Sequence, residues 1–319
     1  MKIIIALIIF FCPITLAAQH SAKNNSSRKN VQVKKKITRN TYADDEIRLA
    51  KLTEPVSNKR NSVVKLRTEK YNLLNKLSDS SAKSKVQQGM DSLSKIIGVL
   101  ESQLTTLRFS FIRDNPSSFL SLDGLTRLLQ INAESPILCD TIKLLFNNLN
   151  KNIQNSVDGK KFQLMAANQE KSKVGNLAPD FKVKDLDGKE ISLSDFRNKF
   201  VLLDFWASWC KPCRDDIPFV KDIYKTYKEK GLEIIGISKD DDLSSWKKAI
   251  AKDGTRIWRH IVAPLSIQST DTSAITNKYF VYAIPVKILI NKEGVIIGRW
   301  IEGGEENIAA IEKLLNDFL

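Results

Sequence analysis

The chain has 319 residues, a length that suggests two folded units, and its 50 Lys and Arg against 36 Asp and Glu give a net charge of +14. The excess is confined: residues 19–173 carry 27 basic against 14 acidic residues, whereas 174–319 carry 22 of each. No aromatic residues interleave the basic stretches as stacking platforms would, which speaks against a nucleic-acid partner.

Residues 1–18 read as a cleaved export signal. Lys2 is the charged start, Ile3 to Phe11 the short apolar core, and Leu16-Ala17-Ala18 the cleavage site before Gln19. Cys12 follows Phe10 and Phe11, not the small residues that a lipid-attachment site needs. The apolar run is too short for a durable anchor, so no spanning helix is expected after cleavage. Export places the mature chain in an oxidising compartment and again argues against nucleic acid. Residues 19–43 are polar and basic, with Lys34-Lys-Lys36 among them, and read as a flexible tether.

Residues 44–170 carry a helical pattern. Val63, Leu66, Leu73 and Leu77 keep a three-to-four spacing broken by Lys70, and Asp79-Ser-Ser81 reads as a turn. Val86, Met90, Leu93, Ile97, Leu100, Leu104, Leu107 and Phe111 then alternate steps of four and three, one seam at the period of supercoiled packing. Its simplest partner is the preceding helix, folded back as an antiparallel hairpin. A homodimer through the 86–111 helix is the alternative. Pro116 stops that helix, and shorter ones are expected around 118–130, 137–149 and 159–170. No His, metal-ligand spacing or phosphate-cradling loop occurs in 41–170, so a spacing, docking or dimerisation module is expected, without catalysis. Cys139 lies in an apolar helical stretch and reads as a buried thiol behaving as a small hydrophobe.

Residues 171–319 begin with a linker to Pro179. Short strands at 181–184 and 190–193 flank Asp187-Gly188, a hairpin signal. Further strands are expected at 200–205, 232–238, 286–290 and 295–300, and helices at 210–229, 243–251, 272–280 and 305–318, with 255–270 irregular. Strands alternating with helices and ending in a hairpin define an α/β unit, a mixed sheet flanked by helices and preceded by a separate all-helical domain. The apolar strand Leu202–Phe205 leads into Trp206-Ala-Ser-Trp-Cys-Lys-Pro-Cys213. Cys210 falls at a helix N-terminus, where unpaired N–H groups and the helix dipole favour a thiolate, and Cys213 lies one turn on. This arrangement suits thiol–disulfide exchange; half of a zinc site or a structural bridge are the alternatives. A zinc site built from Cys139, Cys210, Cys213 and His260 would need both domains, so no metal and no other cofactor is expected.

The second half resembles the thioredoxin superfamily, and within it the exported TlpA/ResA-like thiol–disulfide oxidoreductases, which carry an AhpC/TSA-type thioredoxin domain. The resemblance rests on Val174-Gly-Asn-Leu-Ala-Pro-Asp-Phe181, Asp187-Gly-Lys-Glu-Ile-Ser-Leu-Ser194, Val201 to Arg214, Ile284-Pro285 and Lys292-Glu-Gly294. It implies a Cys210–Cys213 disulfide, with Cys210 as the exposed attacking thiolate and Cys213 as the resolving thiol. Lys211 would favour the thiolate if its side chain turned inward, and Pro212 would stiffen the first helical turn. Asp204 would be a buried carboxyl of raised pKa that exchanges a proton with Cys213; a solvent-facing Asp at the strand's end is the alternative. Pro285 would be cis, leaving the backbone of Ile284 to pair with an extended substrate, while Trp209 would pack over the sulfurs and Trp206 in the core. Val286 and Lys287 stand where the branch commonly has Thr, which bears on substrate preference.

The resemblance further implies an enzyme that reduces protein disulfides in a bacterial periplasm or cell envelope and contributes to cell redox homeostasis. Its partners would be disulfide-containing clients and an upstream electron-donor thiol protein. A thiol peroxidase is a second reading, because Ala178-Pro-Asp-Phe181 also occurs in peroxiredoxin-type proteins, but Leu203 and Ala207 stand where those have Pro and Thr. A third is a helical binding or assembly module with an accessory redox domain.

Overall fold

The structure, a computed structural model, describes residues 28–132, 135–263 and 274–319, so the export-signal reading of residues 1–18 lies outside it. Two compact units form: the described residues up to Leu128 with Ile137–Gly159, and Leu129–Pro136 with Lys160–Leu319.

The first unit is organised by helices α1 (Arg28–Leu74) and α2 (Ser80–Asp114). Asp79 caps α2, its carboxylate accepting the Ala82 N–H at 2.6 Å. The seam residues Met90, Ile97, Leu100, Leu104 and Phe111 are buried in the hairpin. Arg60 donates to buried Glu101 at 2.7 Å, while Arg67, further along α1, donates to Ser94, earlier in α2, at 2.8 Å. The pairs step in opposite directions, so the helices are antiparallel. Much of the 86–111 seam is thus filled from within the chain by α1, the simpler of the two partners expected for it.

Helix α1 begins at Arg28, so the expected tether over 19–43 is helical from that residue on. Extending an established helix avoids the nucleation cost. Tyr42 donates to Asp123 at 3.3 Å, and the Ser118 hydroxyl donates to Asp45, tying this part of α1 to α3 and the turn before it. Helices α3 (Phe119–Ile131), α4 (Pro136–Asn147), α5 (Lys151–Gln154) and α6 (Val157–Lys171) follow, with Cys139 fully buried on α4.

In the second unit, β1 (Lys182–Lys184) and β2 (Glu190–Ser192) pair as a separate hairpin. Gly188 at its turn takes φ +79°, which a glycine adopts without steric cost. The main sheet contains β3 (Phe200–Trp206), β4 (Leu232–Ser238), β5 (Arg259–Val262), β6 (Val286–Ile290) and β7 (Ile296–Ile301), in the order β5-β4-β3-β6-β7. Strands β3, β4 and β5 are parallel, and β6 runs antiparallel to both β3 and β7. The period-two alternation of β3 sorts its side chains. Val201, Leu203 and Phe205 join Ile235, Ile237 and Ile288 in one core. Phe200 and Leu202 join Ile234, Leu289 and side chains from α8 (Ile217–Tyr227) and α11 (Glu305–Phe318) in the other.

Two elements differ from expectation. Strand β5 lies inside the stretch 255–270 expected to be irregular. Four residues that include Arg259 and His260 carry no periodic signal, and pairing to β4 supplies the order. The single helix expected over 210–229 is two, α7 (Lys211–Asp215) and α8, separated at Asp216. Pro218 has no N–H to give the carbonyl of Arg214, so the ladder breaks there. Helices α9 (Leu243–Asp253) and α10 (Ile275–Lys278) complete the unit.

Candidate active site

Strand β3 ends at Trp206, and four residues later Cys210 occupies the N-cap of α7, where its Sγ accepts the Cys213 N–H at 3.3 Å. The two cysteines are joined as a disulfide with their Cα atoms 5.3 Å apart, and Pro212 stands in the helix's first turn. Both cysteines pack with Trp206, Ala207, Trp246, Ala249 and Ile250. That packing corrects one expectation: Cys210 is 5% exposed as a residue in the oxidised state. Trp209, the residue before Cys210, is 60% exposed at the surface beside the disulfide. Lys211 does not turn inward. Its side chain is 83% exposed and pairs with Asp215 at 2.7 Å, one turn along the solvent face. The positive influence on Cys210 therefore comes from backbone N–H groups, as any helix N-terminus provides.

The Ile284–Pro285 peptide is cis. Ile284 packs against the cysteine cluster, and among the described residues neither its N–H nor its C=O is hydrogen-bonded. An unpaired backbone edge beside a disulfide can accept an extended chain as a short added strand.

Asp204 points into the fold between Leu202 and Trp206 and is 6% exposed, so the solvent-facing alternative does not hold. Its neighbours across the sheet are Gly236 on β4 and Lys287 on β6. Gly236 is needed for close approach: a Cβ there would meet the His260 ring at 2.7 Å. Lys287, 1% exposed, extends its Nζ to within 3.6 Å of Asp204 Oδ1 and 2.6 Å of Asp216 Oδ2. Asp216 also accepts the Gly304 N–H at 2.9 Å.

Two carboxylates thus share one buried ammonium, and the ammonium sits closer to Asp216. Burial raises the Asp204 pKa, Lys287 opposes the rise, and the nearby Asp216 charge adds to it. Asp216 and Lys287 were missed as site residues from the sequence. The available signals were a lysine inside the apolar run Val286-Lys-Ile-Leu-Ile290 and an acidic residue just ahead of Pro218.

A carboxyl whose folded pKa is raised destabilises the native state as pH climbs from its unfolded value toward its folded one. Asp204→Asn removes that titration and leaves Lys287 matched with Asp216. The variant is expected to be more stable than wild type by about 1–4 kcal/mol at neutral pH. The gain should vanish below the ordinary carboxylate range, and urea unfolding of the oxidised protein as a function of pH measures it.

His260 lies on β5, its Nε2 2.9 Å from the Thr255 carbonyl oxygen, and burial lowers its pKa to about 4, so it is neutral at pH 7. Its ring stacks edge-on to Trp206 with centroids 5.9 Å apart. Leu203 and Ala207, the positions relevant to a peroxidase, are fully buried apolar residues that offer no hydroxyl to the cysteines.

A mixed sheet of this order, with a Cys-x-x-Cys disulfide at a helix N-terminus facing a cis-proline, defines a dithiol–disulfide oxidoreductase on a thioredoxin-like domain. Residues 174–299 match the AhpC/TSA family. The chain is 35% identical over 154 residues to the thiol-disulfide oxidoreductase ResA of Bacillus thuringiensis (strain Al Hakam), covering 48% of this chain and 83% of that protein. It is 37% identical over 123 residues to ResA of Geobacillus kaustophilus, covering 39% of this chain and 66% of that protein. The solved thioredoxin domain of a thiol-disulfide oxidoreductase from Bacteroides vulgatus aligns at 32% identity and a TM-score of 0.40, covering 45% of this chain and 99% of that one. The chain belongs to the ResA-like thiol–disulfide oxidoreductases, and disulfide-containing molecules are its substrates. Each of these matches covers less than half of this chain. Among the described residues no helix is long and apolar enough to cross a membrane.

Proposed function

We propose that the chain is an exported reductase of protein disulfides that works through Cys210, Cys213 and Asp204. The observation that carries this is the N-cap position of Cys210, whose sulfur receives the Cys213 N–H. A donor aimed at a sulfur favours its thiolate, the nucleophilic form. In the reduced protein the Cys210 thiolate attacks one sulfur of the client disulfide. A Cys210–client bond forms, the client S–S bond breaks, and the departing sulfur leaves as a thiolate that takes a proton from solvent.

Cys213 then gives its proton to the Asp204 carboxylate and attacks the Cys210 sulfur. The intramolecular disulfide forms, the second client thiolate leaves, and two electrons have passed to the client. The raised pKa of Asp204 brings it closer to that of a thiol, which reduces the cost of the transfer. Ile284 and Pro285 would hold the client backbone, with Trp209 and Pro212 at the rim. An upstream thiol protein would restore the dithiol, and residues 44–170 would act as a spacer or docking module outside the reaction.

The direction rests on the potential of the pair. Equilibration of the full chain against glutathione or dithiothreitol couples is expected to give a value near that of thioredoxin, about −270 mV. A value close to that of a strong oxidant, about −120 mV, would make the chain a disulfide donor instead.

A further inference from the structure

Strand β4 ends at Ser238, and the two residues that follow it, Lys239 and Asp240, reach the two segments that flank the disulfide. Asp240 is buried. Its Oδ2 accepts the Ser208 N–H at 2.8 Å and the Ser238 hydroxyl at 2.6 Å, and its Oδ1 accepts the Ser208 hydroxyl at 2.6 Å. Ser208 lies two residues ahead of Cys210. Lys239, 2% exposed, turns the other way and donates to the carbonyls of Val281 at 3.4 Å and Tyr282 at 3.2 Å. Tyr282 lies two residues ahead of Ile284. The Lys239 N–H is itself fixed on the Trp206 carbonyl at 2.9 Å. The two side chains thus reach opposite flanks, and one dipeptide holds both.

The segment before Ile284 has its carbonyls committed one after another. Arg299 donates to those of Tyr279 at 2.9 Å and Phe280 at 3.1 Å, and Lys239 takes the next two. Phe280 is held at φ +53°, a conformation that needs such restraint for a bulky residue. Ile284, one residue beyond Ala283, has its backbone groups unpaired among the described residues. Burial lowers the Lys239 pKa to about 8, which marks an ammonium kept inside at a cost when an apolar side chain would fill the same space.

We propose that Lys239 and Asp240 are positioning residues that set the gap between the Cys210 flank and the Ile284 edge, and thereby the affinity for disulfides carried on a polypeptide. They do not touch the reacting sulfurs. A small disulfide needs only the sulfurs, whereas a polypeptide must also lie along Ile284. The inference rests on the reductase reading above, and the two fail separately.

The test is the kinetics of the full chain with two substrates: insulin in steady state with dithiothreitol as reductant, and the small aromatic disulfide 5,5′-dithiobis(2-nitrobenzoate) reduced by pre-reduced protein with no other thiol present. Lys239→Met removes two hydrogen bonds from a charged donor and is expected to raise KM for insulin about three- to tenfold or more. The kcat for insulin and the rate with the small disulfide should stay within about twofold. Asp240→Asn, which keeps shape but loses one acceptor, should shift the same ratio in the same direction and serves if the lysine variant does not fold. An unchanged insulin KM in the folded variants would overturn the proposal, as would an equal loss on both substrates. A wild-type protein that reduces neither substrate would overturn the reductase reading itself.

Discussion

Cys210→Ser is expected to lower disulfide turnover by roughly three orders of magnitude or more. A serine hydroxyl at this N-cap would still accept the Cys213 N–H, so the helix start should survive. What is lost is a nucleophile that ionises near neutral pH and can form a bond to sulfur. The loss should be similar for a polypeptide and a small disulfide, since both depend on the same attack. Near-ultraviolet circular dichroism of the variant checks that the fold is kept, and a coupled assay with dithiothreitol reads the turnover. Substantial residual turnover would move the attacking thiol elsewhere, to Cys213 or to the buried Cys139.

Lys287→Met should have the largest effect on stability, a loss of about 3–5 kcal/mol at pH 7. The ammonium is buried between two carboxyl groups, 2.6 Å from one and 3.6 Å from the other. Methionine fills the space but leaves both carboxyl groups without a counter-charge, and Asp216 keeps only the Gly304 N–H among the described partners. Both groups can then become neutral only by taking up protons, so the loss should shrink steadily as pH is lowered through the carboxylate range. Pairing the change with Asp216→Asn should recover much of it, because that pair would leave one carboxyl group where there were two. Urea unfolding at pH 7 and pH 4 measures these differences. A Lys287→Met protein as stable as wild type at pH 7 would mean that the ammonium does not compensate the buried carboxyl groups. The opposite sign expected for Asp204→Asn makes the pair of variants a sharper check than either alone.

Much of this arrangement was legible in the sequence, for reasons that can be named. The seam from Val86 to Phe111 announces its helix because one periodic face must be buried. The strand Phe200–Trp206 announces itself because apolar residues fill both of its faces, and Cys210 marks the helix start that follows. Other features depend on contacts between distant residues. Lys287 looked like a change at a substrate-facing position, yet it points the other way, into the row formed by Asp204 and Gly236, because strand register decides its face. Asp216 becomes a site residue only once Pro218 has broken the helix and the loop at Gly304 has closed over it. Whether Lys211 turns toward the thiolate could not be read from the sequence, and an acidic residue one turn along offers it a partner in water. Strand β5 is too short and too polar to carry a pattern of its own.

The most direct test is to trap the first covalent intermediate. Cys213→Ser leaves the attacking thiol and removes the resolving one, so a mixed disulfide with a polypeptide substrate should accumulate. Peptide mapping by mass spectrometry is expected to find the substrate cysteine joined to Cys210 and released by dithiothreitol. An adduct on Cys139, or no adduct in a folded variant that still consumes substrate, would contradict exchange through Cys210 and Cys213.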